Sequence, residues 1–331
     1  MKKYITAVIL FCLMTGILLT SCSSGQKQTE TGSWQEHEVK LPEGVHGIFD
    51  IRLMENGTVR IAGLDDAGTT GTVWDSDDEG KSWRHVSTFT KNIRMNQAEG
   101  ITTEISGYLS PRNQVFCVAA EWEDGNDFAH KERYYIVENE KSREIRIDLE
   151  AAEGSDNGVY HAEFAEDGSL IIQDGFGQLY KVNPQTGKVE FTFLSGSVMD
   201  LFNPISLYED RLYTYTDKGL KVYSLKTGKK EEADDAIKDF QELQKEDINY
   251  QRAGFMVTRT QDGPAVYSID AHGLKLYQQG KAKVLLEGKR LCLKDKTAAV
   301  YDCIDAGRNG LFFIVQTMKG GKLYHYRSSA S

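Results

Sequence analysis

The stretch GQLYKVNPQTGKVEF, residues 177–191, decides the fold because versions of it recur along the chain. GLKVYSLKTGKKEE (219–232) and GLKLYQQGKAKVLL (273–286) follow the same pattern, and GKLYHYR (321–327) is a shortened version. In each version a glycine precedes a strand that carries Leu or Val next to Tyr, and in the first three a Gly-Lys turn leads into a second strand. The repeat predicts hairpins whose tyrosines pack between neighbouring units: Tyr180, Tyr223, Tyr277 and Tyr324.

Another pair of strands precedes these hairpins, as in YHAEFAEDGSLIIQ (160–173) and NPISLYEDRLYTYT (203–216). Units of four strands at a spacing of roughly 40–45 residues are typical of β-propeller blades. We expect the first strands of the units near Val45, Ile101, Gly158, Val198, Phe255 and Ala298. The spacing therefore predicts an all-β propeller over residues 34–331, with about six four-stranded blades, although five or seven also fit.

Two further segments complete the predicted architecture. WQEHEVKL (34–41) is expected to supply the outer strand that the last unit lacks, which would close the ring and remove two exposed sheet edges. EEADDAIKDFQELQKED (231–247) departs from the β pattern, since Ile237, Phe240 and Leu243 recur at helical spacing. We expect a short helix inserted between the fourth and fifth blades.

The N-terminus has the composition of an export signal. Lys2 and Lys3 precede a mostly apolar run over residues 5–20, which is shorter than the roughly 20 residues of a membrane span. The sequence Leu19-Thr20-Ser21-Cys22 resembles the bacterial lipobox. The resemblance implies that residues 1–21 are a lipoprotein signal peptide and that acyl chains on Cys22 anchor the protein in the lipid bilayer.

The location follows from this resemblance, which implies a lipid-anchored protein on the extracellular side of the cell membrane, in a bacterium that is expected to be Gram-positive. Residues 22–33 would then be the lipidated cysteine and a flexible tether, because residues 23–33 contain no apolar side chain. A plain secretory signal with an incidental cysteine is the alternative.

The charge and the cysteine spacing exclude several classes of protein. Removing residues 1–21 deletes two lysines and no acids, so the remaining 37 basic and 49 acidic residues give a net charge of −12. Such a surface repels nucleic acid. No CxxC, HxH or HExxH spacing occurs, so we expect neither a metal site nor a cofactor. Cys292 and Cys303 could form a disulfide, but buried free thiols are the commoner outcome.

An acidic turn carries the most specific motif. Residues 76–83, Ser-Asp-Asp-Glu-Gly-Lys-Ser-Trp, fit the pattern S-x-D-x-G-x-x-W and resemble the Asp-box of sialidases and other secreted β-propellers. Ser76 and Asp78 are suited to accept backbone N–H groups of a tight turn between third and fourth strands, and Gly80 to adopt a conformation that larger residues resist. Trp83 would pack over the turn. The resemblance implies a structural role on the face opposite an active site.

Two functional interpretations of this turn remain as alternatives. An EF-hand calcium loop would match Asp75, Asp77 and Gly80, but Val86 stands where the bidentate glutamate belongs. Sialidase activity would need the arginine triad, the Arg-Ile-Pro motif and the Tyr–Glu pair of that family. No Arg-Ile-Pro occurs here, since neither Arg52 nor Arg60 precedes Ile-Pro.

Two long loops are the candidate ligand-binding elements, because propellers bind ligands mainly where second strands join third strands and where blades join. LDDAGTTGT (64–72) carries two carboxylates, and EWEDGNDFAHKE (121–132) places aromatic rings among carboxylates and an amide, which suits a sugar. The predicted ligand-binding residues are Asp65, Asp66, Trp122, Asp124, Asn126, Asp127 and His130. Tyr250 and Arg252 could add to them from an interblade segment. Solvated loops without a ligand are the alternative.

A wider resemblance covers most of the chain. The lipobox, the tether, LPEGVHGIFDIRLMENGTVRIAG (41–63) and the Asp-box look like the N-terminal propeller of certain Gram-positive extracellular solute-binding lipoproteins. In those proteins a substrate-binding domain of an ABC importer follows the propeller, whereas here the sequence stops at Ser331, soon after the last predicted strands. We therefore expect a stand-alone sensor or a shortened relative.

The predicted function is ligand or partner binding without catalysis. The expected partners are a glycan or small solute and components of an ABC importer. A sialidase-like glycoside hydrolase and an envelope-assembly scaffold are the alternatives.

Overall fold

The computed structural model of this 331-residue chain describes residues 34–93, 95, 99–123, 130–149, 158–175, 177–194, 204–216, 219–233, 240, 254–270, 272–288, 291–294, 298–307, 310–317 and 320–328. These residues form six four-stranded antiparallel sheets that are arranged as the blades of a β-propeller. The predicted all-β class and the predicted number of about six blades are confirmed.

The strands follow one another in chain order around the ring. The chain enters through β1 (Trp34–Val39), and blade one contains β2 (Gly47–Leu53), β3 (Val59–Leu64), β4 (Gly71–Ser76) and β5 (Arg84–Thr88). Blade two contains β6 (Ile101–Leu109), β7 (Gln114–Glu123), β8 (His130–Glu138) and β9 (Lys141–Ile145). Blade three contains β10 (Val159–Phe164), β11 (Leu170–Asp174), β12 (Leu179–Val182) and β13 (Val189–Leu194).

The second half of the ring repeats this order. Blade four contains β14 (Ile205–Tyr208), β15 (Arg211–Thr216), β16 (Gly219–Ser224) and β17 (Lys230–Glu231). Blade five contains β18 (Gly254–Thr260), β19 (Gly263–Asp270), β20 (Gly273–Gln278) and β21 (Lys281–Glu287), and a 3-10 helix, Cys292–Lys294, follows it. Blade six contains β22 (Ala299–Asp305), β23 (Leu311–Thr317), β24 (Gly320–Ser328) and the entering strand β1.

The two ends of the described chain close the ring. β1 pairs antiparallel with β24 in a register that runs from Trp34 opposite Ser328 to Val39 opposite Leu323. The predicted closure by an N-terminal strand is therefore confirmed. Because the last blade takes its outer strand from the beginning of the chain, the closure holds blade six next to blade one.

Two boundaries differ from the prediction. The predicted start of blade four near Val198 is wrong, since its first strand begins at Ile205. Pro204 precedes that strand, and proline has no N–H to donate to a ladder, so pairing begins after it. The predicted helix over 231–247 overlaps β17 at Glu231, and most of its length lies outside the described residues. Its Phe240 is helical and packs against Tyr277, with ring centroids 5.0 Å apart.

The recurring tyrosines lie in the apolar cores between blades. Tyr180, Tyr223, Tyr277 and Tyr324 are all buried, and each belongs to a cluster with side chains of a neighbouring blade. The described cysteines Cys117, Cys292 and Cys303 are free thiols, so the alternative of a Cys292–Cys303 disulfide is wrong. The described part of the chain contains no helix with the length and apolar character needed to span a bilayer.

The antiparallel order divides the turns between two faces. We call upper face the one with the turns that join second to third strands and one blade to the next. The lower face carries the turns that join first to second and third to fourth strands. First strands therefore begin at the upper face and end at the lower face. The position of a residue along its first strand thus gives its depth below the upper face.

Candidate functional site

The Asp-box lies in the turn between β4 and β5, on the lower face, and its side chains bond to the turn itself. Ser76 Oγ accepts the N–H of Gly80 at 2.7 Å, and Asp78 Oδ1 accepts the N–H of Ser82 at 2.8 Å. Ser76 Oγ also donates to Asp78 Oδ1 at 2.9 Å. Hydrogen bonds from the Ser82 hydroxyl and N–H lower the pKa of Asp78 to about 2, so this carboxylate is ionised and occupied.

The same turn contacts the strand that closes the ring. Gly80 has a φ of +83°, and a Cβ at this position would lie 2.5 Å from Cγ1 of Val39 in β1. Trp83 Nε1 donates to the carbonyl of Lys40 at 2.9 Å, and Arg327 of β24 lies 3.3 Å from Glu79. The Asp-box thus joins blade one to the closing strands of blade six.

The predicted ligand-binding residues of blade one lie on the upper face. Asp65 Oδ1 accepts the N–H groups of Thr69 and Thr70 at 2.9 and 3.0 Å, so its carboxylate caps its own turn. Asp66 is 85% exposed and lies 3.5 Å from Nδ1 of His46. Neither lines the cavity described below.

The predicted residues of blade two are only partly within the described ranges. Trp122 is half-buried at the end of β7, opposite His130 at the start of β8. Asp124, Asn126 and Asp127 lie outside the described residues, as do Tyr250 and Arg252. Trp122 does not line the central cavity, so the described residues Asp65, Asp66 and Trp122 lie on the same face as the cavity without lining it.

A cavity of about 100 Å³ lies in the upper half of the central channel. Its walls come from the beginnings of β10, β18 and β22, from the start of β14, and from the ends of the second strands β11 and β23. The polar side chains of this wall are Tyr160, His161, Gln173, Tyr301, Asp302, Cys303 and Gln316. No lysine or arginine is among the described residues that line it.

Three first strands carry a β-bulge at corresponding positions. The register shifts between Ile48 and Asp50 in β2, between Val159 and His161 in β10, and between Val300 and Asp302 in β22. The extra residue is an aromatic in each case: Phe49, Tyr160 and Tyr301. Because a bulge re-aims the side chains around it, the residues that follow, Asp50, His161 and Asp302, belong to the channel interior.

Asp50, Glu163 and Asp302 form what we call the carboxyl cluster. The Asp50 and Asp302 carboxyl groups hydrogen-bond to each other. The N–H of Ile51 donates to Asp50 Oδ1 at 2.9 Å and to Asp302 Oδ2 at 3.3 Å. The N–H of Leu109 donates to the other oxygen of Asp50.

Burial changes the acidity of this cluster. Desolvation, followed by the negative charge of Asp302, raises the pKa of Asp50 well above its ordinary value. The same two causes raise the pKa of Glu163 from 4.5 to about 8, against the opposing charge of Arg52. The cluster therefore holds protons at neutral pH, unlike Asp78 of the Asp-box.

Arg52 lies at the lower end of the channel. Its Nη1 donates to the carbonyls of Leu109 at 3.1 Å and Phe164 at 3.0 Å, which are the last residues of β6 and β10. Phe164 is four residues beyond Tyr160, a distance of roughly 13 Å along a strand. The guanidinium thus joins three blades below the cavity and stands well away from its wall.

His161 lies between two tyrosines at the cavity wall. Its ring meets those of Tyr108 and Tyr301 edge to face, with centroids 5.6 and 5.2 Å apart, and the two tyrosine hydroxyls are 3.2 Å apart. Burial lowers the pKa of His161, so the imidazole is uncharged at neutral pH. The side chain is 7% exposed, and its Nδ1 has no hydrogen-bond partner among the described residues.

Sequence reasoning missed all the residues of this cavity. A signal was present, since blades one, three and six each carry an aromatic followed by Asp or His early in the first strand, as in FD (49–50), YH (160–161) and YD (301–302). Within the described ranges, no three His, Cys, Asp or Glu side chains are grouped to hold a metal ion. The arrangement can accept hydrogen bonds, hold protons and surround a small group with aromatic rings.

Comparisons with known proteins agree with the geometry. No family model matches this chain. The Hadza microbial sialidase Hz136 superimposes with a TM-score of 0.51 at 8% identity, over 87% of this chain and 67% of that one. The chain is a six-bladed β-propeller resembling the sialidase-like and related propellers. The soluble aldose sugar dehydrogenase of Escherichia coli gives a TM-score of 0.51 at 9% identity, over 89% of this chain and 99% of that one.

A sequence relative is also found. The uncharacterized protein YycP of Bacillus subtilis is 31% identical over 118 residues, which are 31% of this chain and 30% of that protein. The match thus spans less than a third of either chain. At the low identities of the two solved structures, their similarity shows the fold alone.

Proposed function

We propose that this propeller is a non-enzymatic binding protein whose ligand enters the central cavity from the upper face. The observation that carries the proposal is the cavity itself, where the buried Nδ1 of His161 has no partner among the described residues. A buried polar atom without a partner is costly, and a ligand that bonds to it recovers that cost. A structural scaffold needs no such cavity.

The ligand class that suits this site is a carbohydrate or another small polar solute. About 100 Å³ accommodates one polar group of a ligand, since a water molecule takes about 30 Å³. The remainder of the solute would lie against the upper loops, where Asp66 is exposed. The amides of Gln173 and Gln316 can donate to hydroxyl groups and accept from them.

The test is a binding survey with a matched pair of variants. The purified protein is screened against a glycan array and a library of small polar solutes, together with Asp302→Asn and Glu166→Gln. Asp302 lines the cavity, whereas Glu166 is exposed in the β10–β11 turn of the same ring. We expect a ligand whose affinity falls at least about tenfold in Asp302→Asn and is unchanged in Glu166→Gln. Equal affinity in both variants would place the ligand elsewhere.

We further propose that Cys22 anchors this propeller to the outer surface of the cell membrane, where it works with components of a solute importer. The support is the lipobox-like sequence that ends at Cys22 after a short apolar run. Intact-protein mass spectrometry should find a chain that begins at Cys22 and carries acyl groups. Cys22→Ala should abolish the modification and the membrane association, and a protein that stays in the membrane fraction without Cys22 would contradict the anchor.

A sialidase-like glycoside hydrolase is the second candidate. The observation that favours it is the protonated Glu163 near the charge of Asp302, since glycosidases use one acid that holds a proton and one that is ionised. The cavity wall argues against a sialidase, because none of its described residues is an arginine and that family uses an arginine triad. Turnover of fluorogenic glycosides that disappears in Glu163→Gln would establish the hydrolase and refute binding without catalysis.

A further inference from the structure

Among the residues that the structure describes, the interior of the ring has more acidic than basic groups. Three carboxyl groups, Asp50, Glu163 and Asp302, share the channel with the guanidinium of Arg52. That guanidinium donates to the carbonyls of Leu109 and Phe164 at the lower end. The cavity itself meets a carboxyl group of Asp302 and no basic side chain among its described residues. The cavity therefore favours positive charge over negative charge.

The wall around Asp302 is aromatic and rich in acceptors. Tyr160, Phe255 and Tyr301 line the cavity with Asp302. Aromatic rings beside a carboxylate are the surroundings that bind ammonium groups, since the ring face attracts a cation. The carbonyl oxygen of Tyr160 lies 3.4 Å from the hydroxyl of Tyr301, which marks an acceptor at the wall.

His161 gives an independent indication of what enters. Its uncharged imidazole lines the polar cavity, and the buried Nδ1 of that ring has no partner among the described residues. When the ring carries its proton on Nε2, Nδ1 is an acceptor. A ligand with several N–H donors can then bond to this nitrogen and to Asp302 at once.

We propose that the central cavity binds a primary ammonium group in exchange for a proton of the carboxyl cluster. The inference rests on the proposed binding function and deepens it, because it names the chemistry of the group that enters. The ammonium arrives with its charge and keeps all its bonds, and one carboxyl proton leaves to solvent. The charge of the site is thus unchanged by binding.

The proton comes from Glu163, whose pKa of about 8 allows it to ionise near neutral pH. The titratable and charged groups of the strands around it are Asp50 and Arg52 of β2, His161 of β10, and Asp302 and Cys303 of β22. The others are Tyr108 of β6, Tyr160 of β10, Tyr301 of β22 and Glu132 of β8. Burial raises the pKa of Tyr108, Tyr301 and Cys303, so these three keep their protons when the cluster ionises.

The exchange is tested by NMR titration of the purified protein with methylammonium chloride at constant ionic strength. A ligand of so few atoms is expected to bind in the millimolar range. Methanol, which lacks the charge, and tetramethylammonium, which lacks N–H donors, should bind at least about tenfold more weakly. A pH indicator in unbuffered solution should record proton release, and the affinity should rise by up to about tenfold per unit between pH ~6 and ~8.

Two variants and a control assign the proton. Glu163→Gln should still bind methylammonium but release no proton and lose the pH dependence. Asp302→Asn should lower the affinity at least about tenfold, because it removes the carboxylate at the wall. Glu166→Gln, exposed in the β10–β11 turn, should behave as the wild type. The proton count of the wild type needs no variant, so the test stands even where a variant does not fold.

The outcomes separate this inference from the function on which it rests. Methylammonium binding without proton release would overturn the exchange, and equal binding of tetramethylammonium would overturn the primary ammonium. A sugar or methanol that enters the cavity while methylammonium does not would overturn the inference and leave the binding function intact. If no probe or library compound perturbs the cavity residues, both are overturned.

Discussion

The Asp-box and the carboxyl cluster both carry carboxyl groups, but their surroundings shift the pKa in opposite directions. Asp78 on the lower face accepts hydrogen bonds from the turn, and its pKa falls to about 2. Glu163 in the channel is desolvated near Asp302, and its pKa rises to about 8. A sequence rich in acids therefore need not be the place where acids hold protons. The acid-rich turn stabilises the ring, whereas isolated acids on inner strands form the site.

Replacing an arginine next to each set of acids should give the largest difference in stability between the two regions. Arg52→Met leaves the carbonyls of Leu109 and Phe164 without their donor and the carboxyl cluster without its cation. We expect a loss of about 4 kcal/mol in the free energy of unfolding, because two hydrogen bonds from a charged donor are lost. Arg84→Met is the matched change at the Asp-box side, where the 66%-exposed Arg84 shares Asp75 with Arg60. It should cost about 0.5 kcal/mol. Equal losses in urea unfolding would contradict the comparison.

The pH dependence of stability should have opposite signs in the two regions. The pKa of Glu163 is about 8 in the folded state against 4.5 ordinarily, so the unfolded state ionises first. Its share of the stability is present below pH 4.5 and lost as the pH rises to about 8, by about 3 kcal/mol once the partial exposure of the side chain is taken into account. The pKa of Asp78 is about 2 against 3.8 ordinarily, so its stabilisation is present above pH 3.8 and lost as the pH falls to about 2.

Two isosteric variants show which residue causes each change of the unfolding free energy with pH. Glu163→Gln should flatten the decline between pH 4.5 and about 8 and leave the acid limb unchanged. Asp78→Asn should reduce the acid limb alone. Urea unfolding across the pH range measures both, and a neutral-range slope that survives Glu163→Gln would assign the proton to another group.

A pair of glycines measures how tightly the Asp-box holds the closing strand. Gly80→Ala meets both a φ of +83° and a Cβ contact of 2.5 Å with Val39, whereas Gly57→Ala meets a φ of +84° in open space. We expect losses of about 2 to 3 kcal/mol and about 1 kcal/mol respectively, since only Gly80 adds overpacking to the backbone strain. Thermal unfolding measures both, and equal losses would mean that the turn does not press on β1.

The smallest effect is expected at the cavity wall. His161→Phe replaces a buried imidazole, whose Nδ1 lacks a partner among the described residues, by an apolar ring. The free energy of unfolding should change by less than about 1 kcal/mol, because no hydrogen bond of Nδ1 is lost. Ligand affinity should nevertheless fall. A large loss of stability with unchanged binding would make His161 a packing residue only.

Most of the architecture could be predicted from local sequence. The hairpins of Tyr180, Tyr223 and Tyr277 repeat because each tyrosine packs against a neighbouring blade. WQEHEVKL was recognisable as the outer strand of blade six because the last unit has one strand too few. The start of blade four was placed too early, since an apolar residue such as Val198 fits a strand pattern while Pro204 sets where pairing begins.

The site could not be predicted in the same way. Its position depends on bulges at Phe49, Tyr160 and Tyr301, and a bulge is a property of the pairing between two strands rather than of one strand. Acidity is a second non-local property. Asp302 and Asp50 are 252 residues apart in sequence but hydrogen-bond where the first and last blades meet. The acid-rich loops of the upper face led to the prediction of a binding site there, but Asp65 caps its own turn.

The side-chain carboxyl resonance of Glu163, followed by carbon-13 NMR against pH and assigned with Glu163→Gln, tests the protonated cluster most directly. We expect a midpoint near 8, because desolvation and Asp302 oppose ionisation. A midpoint near 4.5, the ordinary value for glutamate, would show that Glu163 is as well solvated as a surface carboxyl group and would refute a protonated carboxyl cluster.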